Sequence, residues 1–162
     1  MTSKAKNQCE PGGKGEGIAP PSTASKKPVR IAMYGRVIVG GCVAGTALVS
    51  SEPIGFLGGV DPDTGVVTER GHVLEGRSVA GRVLVFPSGK GSTVGSYTLY
   101  RLAARGLAPV AMINTESEAV VAVGAIISGI PMVDQIDITM IENGNRVAFD
   151  GGKAIVERSP VP

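Results

Sequence analysis

The chain has 162 residues, enough for one domain with a core of its own. Its 16 basic and 14 acidic residues leave a net charge of +2 and are interspersed after the first thirty positions, which excludes the clustered basic face of a nucleic-acid binder. Hydrophobic residues make up 43% and aromatics only 4%, with no Trp; a disordered chain is excluded, and the core must be built from Val, Ile, Leu and Ala.

Residues 1–28 are rich in Lys, Gly, Pro and Ser and too poor in apolar groups to fold. A disordered tail is expected there, with a single folded domain over 29–162. Ile31, Met33 and Val37–Val39 predict a strand region, and Val43–Val49 a second strand after the Gly40–Gly41 turn. Phe56–Gly65 is a long turn-rich loop, with Asp61-Pro62-Asp63 and a following glycine as its turn chemistry. Val66–Thr68 reads as a short strand and Val79–Phe86 as another. Thr93–Arg105 reads as a helix: Gly95, Leu99, Leu102 and Ala103 share one face, and Gly106 suits its C-terminal cap. Val110–Asn114 follows as a buried strand. Glu116–Gly124 predicts a short helix whose first turn is negative, as the helix dipole favours. Ile126–Ile127 and Ile130–Val133 read as buried. The C-terminus reads as a hairpin, Arg146–Phe149 and Ala154–Val156, turning at Asp150–Lys153.

Strands dominate, with two helices packed against them, so the fold class is a β-rich α/β single domain. Strand 82–86, helix 93–105 and strand 109–113 form a candidate βαβ unit. Glycine, at 24 residues, stands at about twice its usual share, which implies tight turns and close backbone approaches, as in a compact barrel rather than a helical bundle. No apolar span approaches 20 residues and the N-terminus lacks an apolar leader core, so no membrane association is expected and a cytoplasmic setting is.

The stretch Val83–Tyr97 carries the chemistry. An apolar run stops at Pro87; a glycine-flanked loop follows, with one cation and one exposed hydroxyl; then a helix opens. That geometry aims a serine and several backbone amides at whatever sits above the strand end, a place suited to an anion or a developing negative charge. Gly89-Lys90-Gly91-Ser92-Thr93 departs from the phosphate-loop pattern, because Leu84 stands where its first glycine belongs and Gly91 follows the lysine. Ser92 has two readings. It caps the helix, or it is a base whose anion is held by helix N-terminal amides and the Lys90 ammonium. Lys90 in turn either decorates a surface turn or serves the loop.

His72 is the only histidine, and its polar neighbours read as a solvated loop. A Ser–His–Asp arrangement would have to recruit it from there, and a phosphocarrier role would need it exposed. Cys9 and Cys42 read as a tail thiol and a small core residue, without the spacing of a zinc or iron–sulfur ligand set. The chain is therefore expected to bind no metal or cofactor of its own.

Four segments in order carry a family resemblance: Tyr34–Gly41 (YGRVIVGG), Pro53–Pro62 (PIGFLGGVDP), Phe86–Tyr97 (FPSGKGSTVGSY), and Gly124–Ile127 with Ile130–Asp134 (GAII, IPMVD). Over about 34–158 the chain resembles the small, swivelling-domain subunit of the aconitase X enzymes. The resemblance implies a swivelling β/β/α barrel. It implies a heterodimer with a large subunit that carries an iron–sulfur cluster, and an active site formed between the two. Two activities are implied: dehydration of mevalonate 5-phosphate to trans-anhydromevalonate 5-phosphate in the archaeal mevalonate pathway, and dehydration of cis-3-hydroxy-L-proline. The loop Gly91–Ser96 is similar to that of the archaeal phosphomevalonate form, so a phosphorylated hydroxy acid is the expected substrate. By resemblance Ser92 is the base. Gly89, Lys90, Gly91 and Thr93 are expected to bind substrate, and Phe56, Gly58, Gly59 and Asp61 to line the subunit interface. A non-catalytic or phosphohistidine swivelling module is the rival of another class.

Overall fold

A computed structural model describes residues 27–159; the expected tail over 1–28 lies almost wholly outside them. The strands are β1 (Val29–Tyr34), β2 (Arg36–Val39), β3 (Gly41–Val49), β4 (Val83–Phe86), β5 (Ala111–Asn114), β6 (Met132–Asp134), β7 (Arg146–Gly151) and β8 (Lys153–Arg158). The helices are α1 (Gly95–Ala104) and α2 (Ala119–Ser128). None among the described residues is long and apolar enough to cross a membrane.

All eight strands join one sheet in the order β1-β8-β7-β3-β4-β5-β6-β2. Its two outer strands, β1 and β2, are neighbours in sequence, separated only by Gly35, so the sheet is bent round on itself as a barrel. Gly35 has to be glycine: a Cβ there would lie 2.0 Å from the Asp134 carbonyl oxygen. The strand pairs β3–β4, β4–β5 and β5–β6 are parallel and the others antiparallel. The predicted crossover β4–α1–β5 is present. A second crossover, β5–α2–β6, was not expected from the sequence.

Alternation along the central strands separates two cores. Val83 and Val85 of β4 and Ala111 and Ile113 of β5 pack with Val147, Phe149, Ala154 and Val156 of the hairpin, on the barrel side. Leu84, Phe86 and Met112 point the other way, toward Leu99 and Leu102 of α1 and Val121 and Ala125 of α2. The helices meet closely because Gly124 faces Leu99.

Several boundaries differ from expectation. Residues 92–94 form a tighter turn before α1, with the N–H groups of Gly95, Ser96 and Tyr97 donating to the carbonyls of Ser92, Thr93 and Val94. Helix α2 starts at Ala119 rather than Glu116 because the preceding residues bond elsewhere. Glu116 N–H donates to the Pro87 carbonyl, and the Ser117 N–H and hydroxyl both donate to Asp134. No acidic residue occupies its first turn, and Gly129 closes its end at φ +66°. Ile126 and Ile127 lie on the outer face of α2 and are exposed rather than buried. Val66 and Val67 form only isolated bridges, to Ser78 and Val60, not a strand. Cys42 is an exposed residue of β3 rather than a buried core residue, and Cys9 lies outside the described residues.

Candidate active site

The site lies beyond the carboxyl ends of the parallel strands, where open α/β sheets hold ligands. Phe86 ends β4 with its ring buried edge-on against Phe56, 6.0 Å between centroids. The chain then turns out at Pro87 and is pinned a second time: Ile54 N–H donates to the Ser88 carbonyl, and Lys90 N–H donates to the Ile54 carbonyl. Gly89, between these bonds, is buried; a Cβ there would lie 2.4 Å from Val121 Cγ2. It was expected to touch substrate; the structure places it against buried Val121, between the two bonds that pin the loop.

Beyond this anchor the loop is exposed. Gly91 sits at φ +93°, a conformation that favours glycine. Among the described residues no acceptor takes the N–H of Gly91, Ser92 or Thr93. Three consecutive amides at the threshold of α1 are thus free to donate to an anion, and the helix dipole adds to their positive field. Ser92 is exposed, and its Oγ accepts from Val94 N–H at 3.3 Å. It therefore does fasten the turn into α1, although the helix cap itself is Val94 without a side-chain bond. A donor aimed at Oγ also stabilises negative charge on that oxygen.

Lys90, Gly91 and Glu69 line a pocket of about 310 Å³ with Gly55, Leu57, Gly58 and Gly59. The predicted loop and the predicted interface segment thus meet at one place. Gly58 is exposed at φ +77°, while Gly59 is buried, a Cβ there falling 2.0 Å from the Gly55 carbonyl oxygen. Asp61 is half-buried and accepts from Asp63 N–H and Thr64 Oγ1, holding the turn. Phe56, named with these as an interface residue, is only 1% exposed, and its ring belongs to the core. Leu57, one residue on, is the exposed apolar side chain. Thr93 turns toward a different, apolar groove of about 410 Å³ between α1 and α2, lined also by Val94, Tyr97, Val120, Val123 and Ile127.

Sequence reasoning missed Glu69, whose Oε1 accepts from Lys90 Nζ at 2.5 Å. It also missed the buried carboxylate of Asp134. That group accepts from Arg36 Nε and Nη2 at 3.0 and 2.6 Å and from the Ser117 N–H and Oγ at 3.1 and 2.6 Å. Burial pushes its pKa up, but the bonds from Arg36 and Ser117 outweigh this and hold it below the ordinary carboxylate value. His72 is not solvated: its side chain is only 2% exposed. Its Nδ1 accepts from Leu74 N–H and its Nε2 donates to the Pro53 carbonyl. Both nitrogens are occupied, which removes the phosphocarrier and triad readings.

A model of the aconitase X swivel domain matches residues 32–158. The chain belongs to this family. The phosphomevalonate dehydratase small subunit of Methanocella arvoryzae is 56% identical over 128 residues, 77% of this chain and 97% of that one. That of Methanothrix thermoacetophila is 57% identical over 121 residues, 74% and 88% respectively. The crystal structure of Thermococcus kodakaraensis aconitase X in its holo-form superposes with a TM-score of 0.76 at 49% identity, covering 78% of this chain and 98% of that one. The resemblance assigns the iron–sulfur cluster to the large subunit, and the described residues of this chain do not form a site for one. They offer no group of three His, Cys, Asp or Glu arranged around a metal, and the one histidine has both nitrogens engaged.

Proposed function

We propose that the chain is the small subunit of a phosphomevalonate dehydratase. It would act only with a large subunit, on mevalonate 5-phosphate, in the cytoplasm. The observation that carries the chemistry is the exposed Ser92 hydroxyl set among three unpartnered amides at the start of α1. Names of relatives at 56–57% identity support the substrate.

Dehydration removes a proton from the carbon beside the carboxylate and a hydroxide from the next carbon. The proton and the hydroxide together make the water that is lost. Ser92 Oγ, as alkoxide, takes the proton; Val94 N–H and the positive end of α1 hold its charge before transfer. The amides of Gly91 and Thr93 and the Lys90 ammonium bind substrate oxygens and fix the carbon within reach of Oγ. On this reading the iron–sulfur cluster belongs to the large subunit. The docking face runs along the turn Phe56–Asp61, where Leu57 and Gly58 are exposed, and the apolar groove between α1 and α2 extends it.

The test is anaerobic co-purification with the large subunit, then parallel assays on mevalonate 5-phosphate and cis-3-hydroxy-L-proline. Dehydration of the first and not the second is expected. The reverse preference would move the chain to the proline branch, and dehydration by the small subunit alone would contradict the shared site.

A further inference from the structure

Lys90 is not a free surface cation. Its Nζ donates to Glu69, a residue 21 positions earlier. Each partner lies within ordinary contact distance of a glycine. The Lys90 stem lies along Gly55: a Cβ there would fall 3.5 Å from Lys90 Cγ and 3.7 Å from Cε. The Glu69 carboxylate lies against Gly59, where a Cβ would come 3.4 Å from Oε2. The pair borders the pocket that adjoins the free amide of Gly91. One ammonium N–H is used by Glu69, which leaves two to donate elsewhere. A lysine already held in place loses less rotamer freedom when it grips a ligand than one sweeping through solvent.

We propose that Glu69 is a positioning residue that fixes the Lys90 ammonium at this pocket, where its remaining N–H donors meet an oxyanion of the substrate, its phosphate or its carboxylate. The inference rests on the phosphomevalonate dehydratase reading of the site. Because Glu69 acts only through Lys90, its effect must vanish when the lysine head is gone.

The experiment uses the complex with the large subunit. Turnover of mevalonate 5-phosphate by the parental complex is measured first, and its absence would overturn the functional reading and this inference with it. Given turnover, Glu69→Gln should raise KM about tenfold, the affinity scale of one hydrogen bond to a charged group, with kcat within about twofold. In a Lys90→Met background the same change should move KM by less than about twofold. Inhibition by inorganic phosphate and by unphosphorylated mevalonate identifies the oxyanion: Lys90→Met should weaken whichever one the ammonium grips. An unchanged KM in Glu69→Gln would overturn the inference alone, as would a lowered one, which would make Glu69 a competitor for the lysine. Equal effects of Glu69→Gln with and without Lys90, or inhibition by both probes unaltered in Lys90→Met, would do the same.

Discussion

Asp134 ties three parts of the molecule together, and its replacement by Asn has a calculable effect. The carboxylate is fully buried at the end of β6 and receives four donors, two from Arg36 on β2 and two from Ser117 ahead of α2. Oδ2 takes three of them, Nη2 and both Ser117 groups, and Oδ1 takes Arg36 Nε. An Asn whose oxygen takes the place of Oδ2 keeps those three as weaker neutral bonds, but turns an NH2 toward Arg36 Nε, donor against donor. Hydrogen bonds to charged groups contribute about 1.5–3 kcal/mol and neutral ones about 1 kcal/mol. The half-exposed guanidinium recovers water and softens the loss. The net cost is about 2–3 kcal/mol, which lowers Tm by about 5–10 °C in a chain of this size. The pH dependence follows from the depressed carboxyl pKa. The unfolded carboxyl takes up a proton first as pH falls. The stabilisation is therefore complete above the ordinary carboxylate value, about 3.9, and is lost as pH falls through the lower folded value. Thermal melts of parent and Asp134→Asn from pH 7 down to pH 2 should show a constant gap to about pH 5 and a shrinking one below about pH 4. Equal Tm values at pH 7, or a gap undiminished at pH 2, would refute the reasoning.

Gly124→Ala sets helix propensity against packing. The new Cβ gains about 1 kcal/mol as a better helix former, but it lies 2.5 Å from Cδ1 of fully buried Leu99, and overpacking costs about 1–3 kcal/mol. Packing should win, lowering Tm by a few degrees; a raised Tm would show that Leu99 yields freely. His72, with both ring nitrogens engaged, should gain no phosphoryl group from acetyl phosphate, as read by intact mass of the native protein. A phosphorylated His72 would reinstate the carrier reading.

What could be read from the sequence was local. Val83–Phe86, the face of Gly95, Leu99 and Leu102, and the strand to Asn114 gave the first crossover, because period and length are properties of neighbouring residues. The second crossover was obscured by Ile126 and Ile127, apolar residues that α2 turns outward. The start of α2 was misplaced because Ser117 answers to Asp134, 17 residues on, and not to its own helix. His72 sits among polar neighbours, yet the chain folds back so that Pro53 and Leu74 enclose it. The free amides of Gly91–Thr93 were legible from a strand ending, glycine and a helix beginning. Glu69 was not, since no spacing rule joins it to Lys90. The two meet over the turn, Lys90 lying alongside Gly55 and Glu69 against Gly59.

One oxygen, Ser92 Oγ, carries the proposed chemistry. In the complex with its large subunit, Ser92→Ala should leave assembly and the melting profile of the complex close to parental, since the change removes only a long bond to Val94 N–H. Dehydration of mevalonate 5-phosphate should meanwhile fall by about 10² or more, the scale of a lost proton acceptor. A Ser92→Ala complex that assembles and turns over near the parental rate would contradict it.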